Sequence, residues 1–256
     1  MKKKLLGLTK TTSKDGFRYR GIQTTRLENL TDAVFGFSIT LLVISSQVPT
    51  TYIELQASMY SFIGFIFCTM LLLGLWNNHS NFFLYYGLND KTTKILNALF
   101  LFVLLFYIYP LKYLFSFIGT AIYASIKRSM GDTSEALRTA YTNLKVAELN
   151  VDQWQDLMIR FGLGLFFIYL IIIFMHVNAM KKAEELNLNA REKYITRTFI
   201  NEYFILMSIA VIAILIVVIF GGKAAGYSGM TYLLTAIVVP LYNGFRRKRM
   251  KGLNFD

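Results

Sequence analysis

Side chains that could form polar contacts cluster at two places: just before the first long apolar run of this sequence, and just after the second. Arg26 and Asp32 precede the first run, and Trp76, Asn78 and His79 follow the second. A carboxylate at the edge of hydrocarbon must find a partner or face water, because an unpaired charge in lipid is costly. If the first two helices are antiparallel, an indole, an amide and an imidazole become available to it. We therefore predict a buried polar network of these five residues, with anchoring of Trp76 in an interfacial aromatic belt as the alternative.

The first apolar run has a recognisable helix start. Thr25 is followed three residues later by Glu28, a spacing typical of a capping box. Asp32 then lies about two turns inside the helix and is not a cap. Six residues correspond to about 600° of helical rotation, so Arg26 and Asp32 point in different directions. We expect each to bond to groups on other helices.

The composition identifies the class of protein to which these helices belong. The chain has 256 residues, of which 55% are apolar and only 16% charged, against roughly 25% charged in an ordinary soluble domain. The mean hydropathy of +0.45 excludes a disordered chain and argues against a simple soluble globule. We predict an all-α membrane protein with a single domain, residues 1–256, and six transmembrane helices of about 20 apolar residues. The six segments are 31–48, 57–76, 95–110 (continuing toward 122), 161–180, 203–220 and 224–242.

The net charge of +12 reflects topology in this interpretation, not a nucleic-acid partner. With six spans, 20 of the 27 Lys and Arg residues fall on one side, many of them in two basic tails, residues 1–24 and 244–256. The positive-inside rule makes that side cytoplasmic. We therefore expect a multi-pass protein of the cell membrane with both termini in the cytoplasm.

One segment does not have the character of a span. Residues 125–158 are polar, with apolar residues at helical spacing, and Asp132 to Glu135 offer helix-start signals. We predict an external amphipathic helical insert between the third and fourth spans, and favour a role as a packing cap over the bundle.

Cysteine and histidine are too scarce for several kinds of chemistry. Cys68 is the only cysteine, and His79 and His176 are the only histidines. An intrachain disulfide and a cysteine zinc cluster are excluded, and we expect no cofactor. We also expect no enzyme, because clustered carboxylates, histidines or a nucleophile at membrane depth are missing. His176 and Asn178 are expected to form hydrogen bonds between helices.

The residues that open the first helix resemble those of a known family. The transmembrane protein 175 family of potassium channels has a signature of Arg, three residues, then Phe-Ser-Asp, leading into an apolar helix that contains a Thr. Arg26 and Asp32 match this signature, while Leu30 and Thr31 replace Phe and Ser. Thr31 therefore joins the predicted network.

Two later stretches extend the resemblance to about residues 22–115. The Trp76 and His79 pair is similar to the family's second helix, and Asn97 and Pro110 are similar to the Asn and Pro of its third. The resemblance implies a homotetramer of six-helix subunits in the lipid bilayer, because the motif occurs once. It also implies passive permeation of potassium and other monovalent cations through a pore lined by the first helix.

Carried over residue by residue, the resemblance makes Phe37, Leu41 and Ile44 the apolar constriction. Their i, i+4, i+7 spacing lies on one helix face, and apolar rings can gate by dewetting. Thr40 would present a ring of hydroxyls, with Ser38 as a weaker candidate. Thr40 also lies with Ala33 and Gly36 on a small-residue face, so helix packing is an alternative role for it.

Three other classes are weighed against a channel. A secondary transporter usually shows helices broken by Gly or Pro in corresponding halves, whereas Pro110 and Pro240 are expected near span ends. A non-conducting structural membrane protein has no feature against it apart from the family resemblance. An integral-membrane enzyme lacks its catalytic groups.

Overall fold

The computed structural model of the chain describes residues 12–13, 15–44 and 48–252, without the side chains of Ile44 and Lys251. The described residues form α-helices and contain no β-strand beyond one bridge between Thr12 and Arg18. The helices are α1 (Arg26–Ile44), α2 (Tyr52–Met59), α3 (Phe62–Tyr86), α4 (Lys91–Ser129), α5 (Glu135–Val146), α6 (Val151–Lys181), α7 (Ala190–Phe220), α8 (Ala225–Thr231) and α9 (Thr235–Lys251). The prediction of an all-α protein is confirmed.

Within the described residues, five helical segments are long and apolar enough to cross a membrane. They are Phe62–Tyr86, Lys91–Ser129, Val151–Lys181, Ala190–Phe220 and Gly222–Met250. The chain is therefore a multi-pass helical membrane protein. The shorter α1 is not among the five and lies against α3 and α4, while α6 packs on α4 and α7 in the centre of the bundle.

The helices continue beyond the apolar runs that predicted them. The second span was expected at 57–76, but the structure has a separate short α2 and then α3 from Phe62 to Tyr86. Helix α3 ends only where Gly87 adopts a left-handed conformation, with φ of 59°. Trp76 and His79 therefore lie in the second half of a continuous helix and not at its end. Apolar composition marks the membrane, whereas a helix ends where the backbone stops it.

Pro110 lies in the middle of a helix, although the sequence suggested a position near a span end. Helix α4 runs from Lys91 through Pro110 to Ser129, a length of 39 residues. Proline removes one main-chain hydrogen bond, and packing of the flanking turns in a membrane bundle compensates for that loss. Pro240 likewise lies inside α9.

The polar insert contributes one short helix, α5. The Ser134 hydroxyl caps it by accepting a hydrogen bond from the amide of Leu137. Its buried residues Leu137 and Ala140 belong to a small apolar cluster with Tyr60, beside the end of α2, and Tyr123 of α4. Helix α5 thus packs on α2 and α4.

Helices α3 and α4 touch main chain to main chain at two glycines. A Cβ atom added to Gly64 would lie 2.1 Å from the carbonyl oxygen of Phe115, and one added to Gly119 would lie 2.3 Å from the nitrogen of Gly64. Only glycine permits this approach. The two helices are held in one register at this point.

Candidate functional site

The polar start of α1 is built by a capping box. The amide of Thr25 donates to Oε1 of Glu28 at 2.9 Å, and the amide of Glu28 donates to Oγ1 of Thr25 at 3.3 Å. This confirms the predicted helix start. Thr31 and Asp32 therefore lie inside the helix. Because they are consecutive residues, their side chains point to different sides.

Asp32 contacts the second long helix through an indole. Nε1 of Trp76 donates a hydrogen bond to Oδ1 of Asp32 at 2.8 Å. Trp76 is 37% exposed, and Asp32 is also exposed on the single subunit. This contact ties α1 to α3 on the surface side of the site.

Thr31 leads into the interior through a chain of three side chains from three helices, which we call the buried relay: Thr31 of α1, Asn97 of α4 and His79 of α3. Nδ2 of Asn97 donates to Oγ1 of Thr31 at 3.0 Å, and Thr31 donates to the carbonyl oxygen of Leu27 at 3.0 Å. Nε2 of His79 lies 2.6 Å from Oδ1 of Asn97 and must act as the donor, because that oxygen can only accept.

The buried relay is shielded from solvent and packed against aromatic rings. Thr31, Asn97 and His79 are 0%, 1% and 3% exposed. The imidazole stacks on Phe100 with ring centroids 4.9 Å apart, and Phe35 of α1 lies against both rings. Because buried polar groups are costly unless paired, the relay strongly restricts how α1 can sit on the bundle.

Two members of the predicted network lie apart from these contacts. Arg26 is exposed, and within the described part of the chain its side chain forms no hydrogen bond or ion pair. Asn78 is half-buried on α3, and it too has no polar partner among the described residues. The structure thus brings together Asp32 with Trp76, and Thr31 with His79 through Asn97.

The network predicted from the sequence does not include Asn97 or Phe35. In the sequence, Asn97 is recognisable only as similar to the Asn of the family's third helix, and Phe35 only as part of an apolar run. An asparagine in an apolar segment signals a need for hydrogen-bond partners, but the sequence alone does not name them. The amide of Asn97 is the central link of the buried relay.

The opposite side of α1 faces away from the bundle. Phe37 is 58% exposed, Thr40 is exposed and Leu41 is half-buried, while the side chain of Ile44 lies outside the described residues. The hydroxyl of Thr40 donates to the carbonyl oxygen of Phe37 at 2.7 Å. Ser38 is 0% exposed on the bundle side, where its hydroxyl donates to the carbonyl oxygen of Val34 at 2.7 Å. Helix α1 therefore has one fixed face and one exposed apolar stripe that includes Phe37 and Thr40.

A second polar junction joins α4 and α6 at the same end of the bundle. Asp90, the N-cap of α4, accepts hydrogen bonds from Thr93 at 2.6 Å and from Asn178 at 3.4 Å, with Lys182 3.9 Å away. Burial opposes ionisation of Asp90, but these partners together bring the pKa of its carboxyl below the ordinary value. Asn178 is confirmed as a link between helices.

Among the described residues, His176 has no hydrogen-bond partner on another helix, contrary to the expectation. Its Nδ1 donates to the carbonyl oxygen of Ile172 in its own helix at 2.9 Å. The rest of the ring packs edge-on against Phe82 and Tyr86. An apolar pocket surrounds the imidazole, so the nearest acceptor is the main chain one turn away.

The described residues contain no group of three or more His, Cys, Asp and Glu side chains placed to hold a metal ion. The fold and the polar contacts around α1 define a multi-pass helical membrane protein whose first helix is fixed to the bundle by buried hydrogen bonds.

Comparisons with known proteins narrow this class. A family model described as "Endosomal/lysosomal potassium channel TMEM175" matches residues 26–107. A protein named "Potassium channel" from Marivirga tractuosa is 36% identical over 244 residues, covering 94% of this chain and 94% of that protein. A crystal structure of a variant of the potassium channel MtTMEM175, in complex with a nanobody–MBP fusion protein, matches with a TM-score of 0.76 and 35% identity, covering 94% of this chain and 99% of that one.

The chain belongs to the TMEM175 family of potassium channels. Membership of a channel family also agrees with the expectation that the chain is not an enzyme.

Proposed function

We propose that this chain conducts potassium passively through a pore lined by α1 of each subunit. Family membership supports the potassium channel itself. The observation that carries the pore proposal is the division of α1 into two faces. One face is fixed by the buried relay, and the other leaves Phe37 and Thr40 exposed on a single subunit.

We propose α1 as a sixth span, with both termini in the cytoplasm. Its 19 residues span about 28 Å at 1.5 Å per residue, close to the thickness of the hydrocarbon core. The distribution of Lys and Arg supports this orientation in the cell membrane. Helix α5 would then lie on the outer side.

A homotetramer is proposed as the conducting form. The family motif occurs once in the chain, so one subunit supplies one pore helix. Large apolar side chains also lie exposed on α1 and on the adjacent α3, including Leu30, Phe37, Ile66 and Met70. Contacts with other copies would cover part of this surface, and lipid would cover the rest.

The constriction is proposed at Phe37, Leu41 and Ile44. Four rings of such side chains around an axis would exclude water unless the helices separate. Thr40 lies on the same exposed stripe and is proposed as the hydroxyl ring that replaces part of the ion's hydration shell. The complete burial of Ser38 argues against a similar role for its hydroxyl.

The polar residues around α1 are proposed to hold the pore helix in place. Asp32, Trp76, Thr31 and His79 act from within the subunit. Arg26 is exposed on the single subunit, so its partner would lie on a neighbouring copy. The amide of Asn78 would likewise find its partner on a neighbouring copy.

The test is potassium flux from liposomes that contain only the purified protein. Passive conduction predicts potassium flux without any energy source. Removal of a counter-ion gradient should not abolish this flux. Empty liposomes and liposomes with a variant carrying Phe37→Trp, expected to block the constriction, serve as controls. Flux that requires a second ion in fixed stoichiometry would instead indicate a secondary transporter, and absence of flux would indicate a non-conducting membrane protein.

A further inference from the structure

The chain that precedes α1 is not a loose tail where the structure describes it. We call residues 15–21 the strap. It lies across the end of α3 and the connection between α6 and α7. Phe17 is 0% exposed and packs on Tyr85 and Tyr86 of α3, with ring centroids 4.9 Å and 5.4 Å apart.

The main chain of the strap is also fastened to α3. The amides of Arg20 and Gly21 both donate to the carbonyl oxygen of Leu84, at 3.1 Å and 3.0 Å. A Cβ atom at Gly21 would lie 2.1 Å from the carbonyl oxygen of Phe83. The strap and α3 therefore meet without intervening side chains at this point.

One carboxylate holds the strap to α7. Glu192 has a side chain that is 0% exposed. Its Oε1 accepts hydrogen bonds from the amide and Nε of Arg18, both at 3.0 Å. Its Oε2 accepts from Nη2 of Arg18 at 2.9 Å and from Nη2 of Arg20 at 2.8 Å.

The same guanidinium groups hold the connection before α7. Nε of Arg20 donates to the carbonyl oxygen of Leu186 at 2.8 Å, and Nη2 of Arg18 donates to that of Asn187. Asn187 has a positive φ of 49°, and its carbonyl oxygen faces the strap. The hydrogen bonds and the charge of Glu192 raise the pKa of Arg18.

The start of α7 is already capped without the two arginines. Glu192 already completes a capping box with Asn189, in which each side chain accepts the other residue's amide at 3.0 Å and 2.8 Å. Two arginines more than 160 residues away in sequence add their charges to that carboxylate. Burial of a carboxylate is costly unless several donors compensate it, so loss of its charge should weaken the whole contact.

The strap is joined to α1 by residues 22–25 only. We propose that Glu192 is a positioning residue for the pore helix: by holding Arg18 and Arg20, it sets where α1 begins and so the fraction of time the channel is open. This inference rests on the proposed pore at α1. It adds a mechanical connection from α7, which does not line that pore, to the helix that does.

The test compares Glu192→Gln with Glu185→Gln in single-channel recordings. Glu185 lies on the same connection, is 67% exposed and pairs with Lys182 at 3.2 Å. Among the described residues, no hydrogen bond or ion pair joins it to the strap. We expect Glu192→Gln to change the open probability at least threefold while the single-channel conductance and the potassium-to-sodium permeability ratio stay as in the wild type. Glu185→Gln should leave all three unchanged. A merely structural role would lower the number of channels and not the open probability of each.

Limited trypsin digestion reports on the contact itself. Cleavage after Arg18 and Arg20 gives fragments that begin at Tyr19 and Gly21, and it should be slow in the wild type and fast in Glu192→Gln. If the glutamine keeps the strap protected, the double variant Arg18→Gln, Arg20→Gln releases it instead. Because trypsin no longer cleaves at those positions, release in the double variant is read from chymotrypsin cleavage after Phe17 and Tyr19.

The outcomes separate the two proposals. If the wild type conducts, and Glu192→Gln has a released strap but an unchanged open probability, the role of Glu192 is overturned and the pore proposal stands. A wild-type protein that passes no potassium overturns the pore proposal, and the role of Glu192 with it.

Discussion

The imidazole of His79 and the amide of Asn97 fix each other's orientation. Nε2 of His79 lies 2.6 Å from Oδ1 of Asn97, so the amide oxygen is occupied and its nitrogen is turned toward Thr31. The orientation of one buried amide on α4 thus determines which side of α1 can face the bundle.

Replacement of Asn97 by Ala should destabilise the subunit more than any exposed substitution nearby. His79 and Thr31 would each lose a buried partner, at a cost of about 1–3 kcal/mol per group. We expect the free energy of unfolding in detergent to fall by about 2–6 kcal/mol, measured by thermal or denaturant unfolding. Asn77→Ala, at an exposed position of α3, should change it by less than about 0.5 kcal/mol. Equal effects of the two changes would mean that the buried relay contributes nothing.

Phe37→Ala should raise the single-channel potassium conductance. The phenyl group is 58% exposed on α1, and four smaller side chains would widen the proposed constriction and make it easier to wet. Phe102→Ala is the matched control, because Phe102 is 71% exposed on α4 and is not proposed to line the pore. An unchanged conductance in Phe37→Ala would place the constriction elsewhere.

Thr40→Val tests selectivity at nearly constant volume. Loss of the hydroxyl should alter the potassium-to-sodium permeability ratio, measured from reversal potentials under bi-ionic conditions. Ser38→Ala removes a hydroxyl that is 0% exposed on the other side of the same helix, and it should leave the ratio unchanged. If Thr40→Val also leaves it unchanged, Thr40 serves helix packing.

Asp90→Ala should destabilise the protein in a pH-dependent way. Its loss removes the N-cap of α4 and the contacts with Thr93, Asn178 and Lys182, at a cost of about 1–2 kcal/mol. Because the folded-state pKa is lowered, this stabilisation is fully present above the ordinary carboxyl pKa of 3.8 and is lost as the pH falls through the lowered value.

Thermal unfolding at pH 7 and at pH 3 provides the measurement for Asp90. The difference in Tm between wild type and Asp90→Ala should be clear at pH 7 and smaller at pH 3. Asp152→Ala, in the first turn of α6, should show a smaller difference at pH 7. If the Tm difference between wild type and Asp90→Ala became larger at pH 3, the proposed lowering of the Asp90 pKa in the folded state would be wrong.

How much of this site the sequence predicts depends on the range of the interaction. The capping box of Thr25 and Glu28 is local, and its spacing alone identifies it. The pairing of Asp32 with Trp76 needed one assumption, an antiparallel second helix, together with the cost of an unpaired carboxylate in lipid.

Contacts between residues far apart in the chain are harder to predict from the sequence. The meeting of Thr31 and His79 requires an amide from α4, and no pattern in one sequence states which buried amide lies between two other helices. The length of α3 was underestimated because polar residues after Trp76 end the apolar run without ending the helix. The role of Glu192 was not predicted, since its partners Arg18 and Arg20 looked like ordinary residues of a basic tail.

The contact between Gly64 and Gly119 has a consequence for attempts to evolve or stabilise this protein. A methyl group at either position meets main-chain atoms, which cannot rotate away as a side chain could. No second mutation in a neighbouring side chain can therefore rescue a substitution there. In a saturation library, functional variants should keep glycine at these two positions. Where segments of related channels are recombined, helices α3 and α4 should be taken from the same parent.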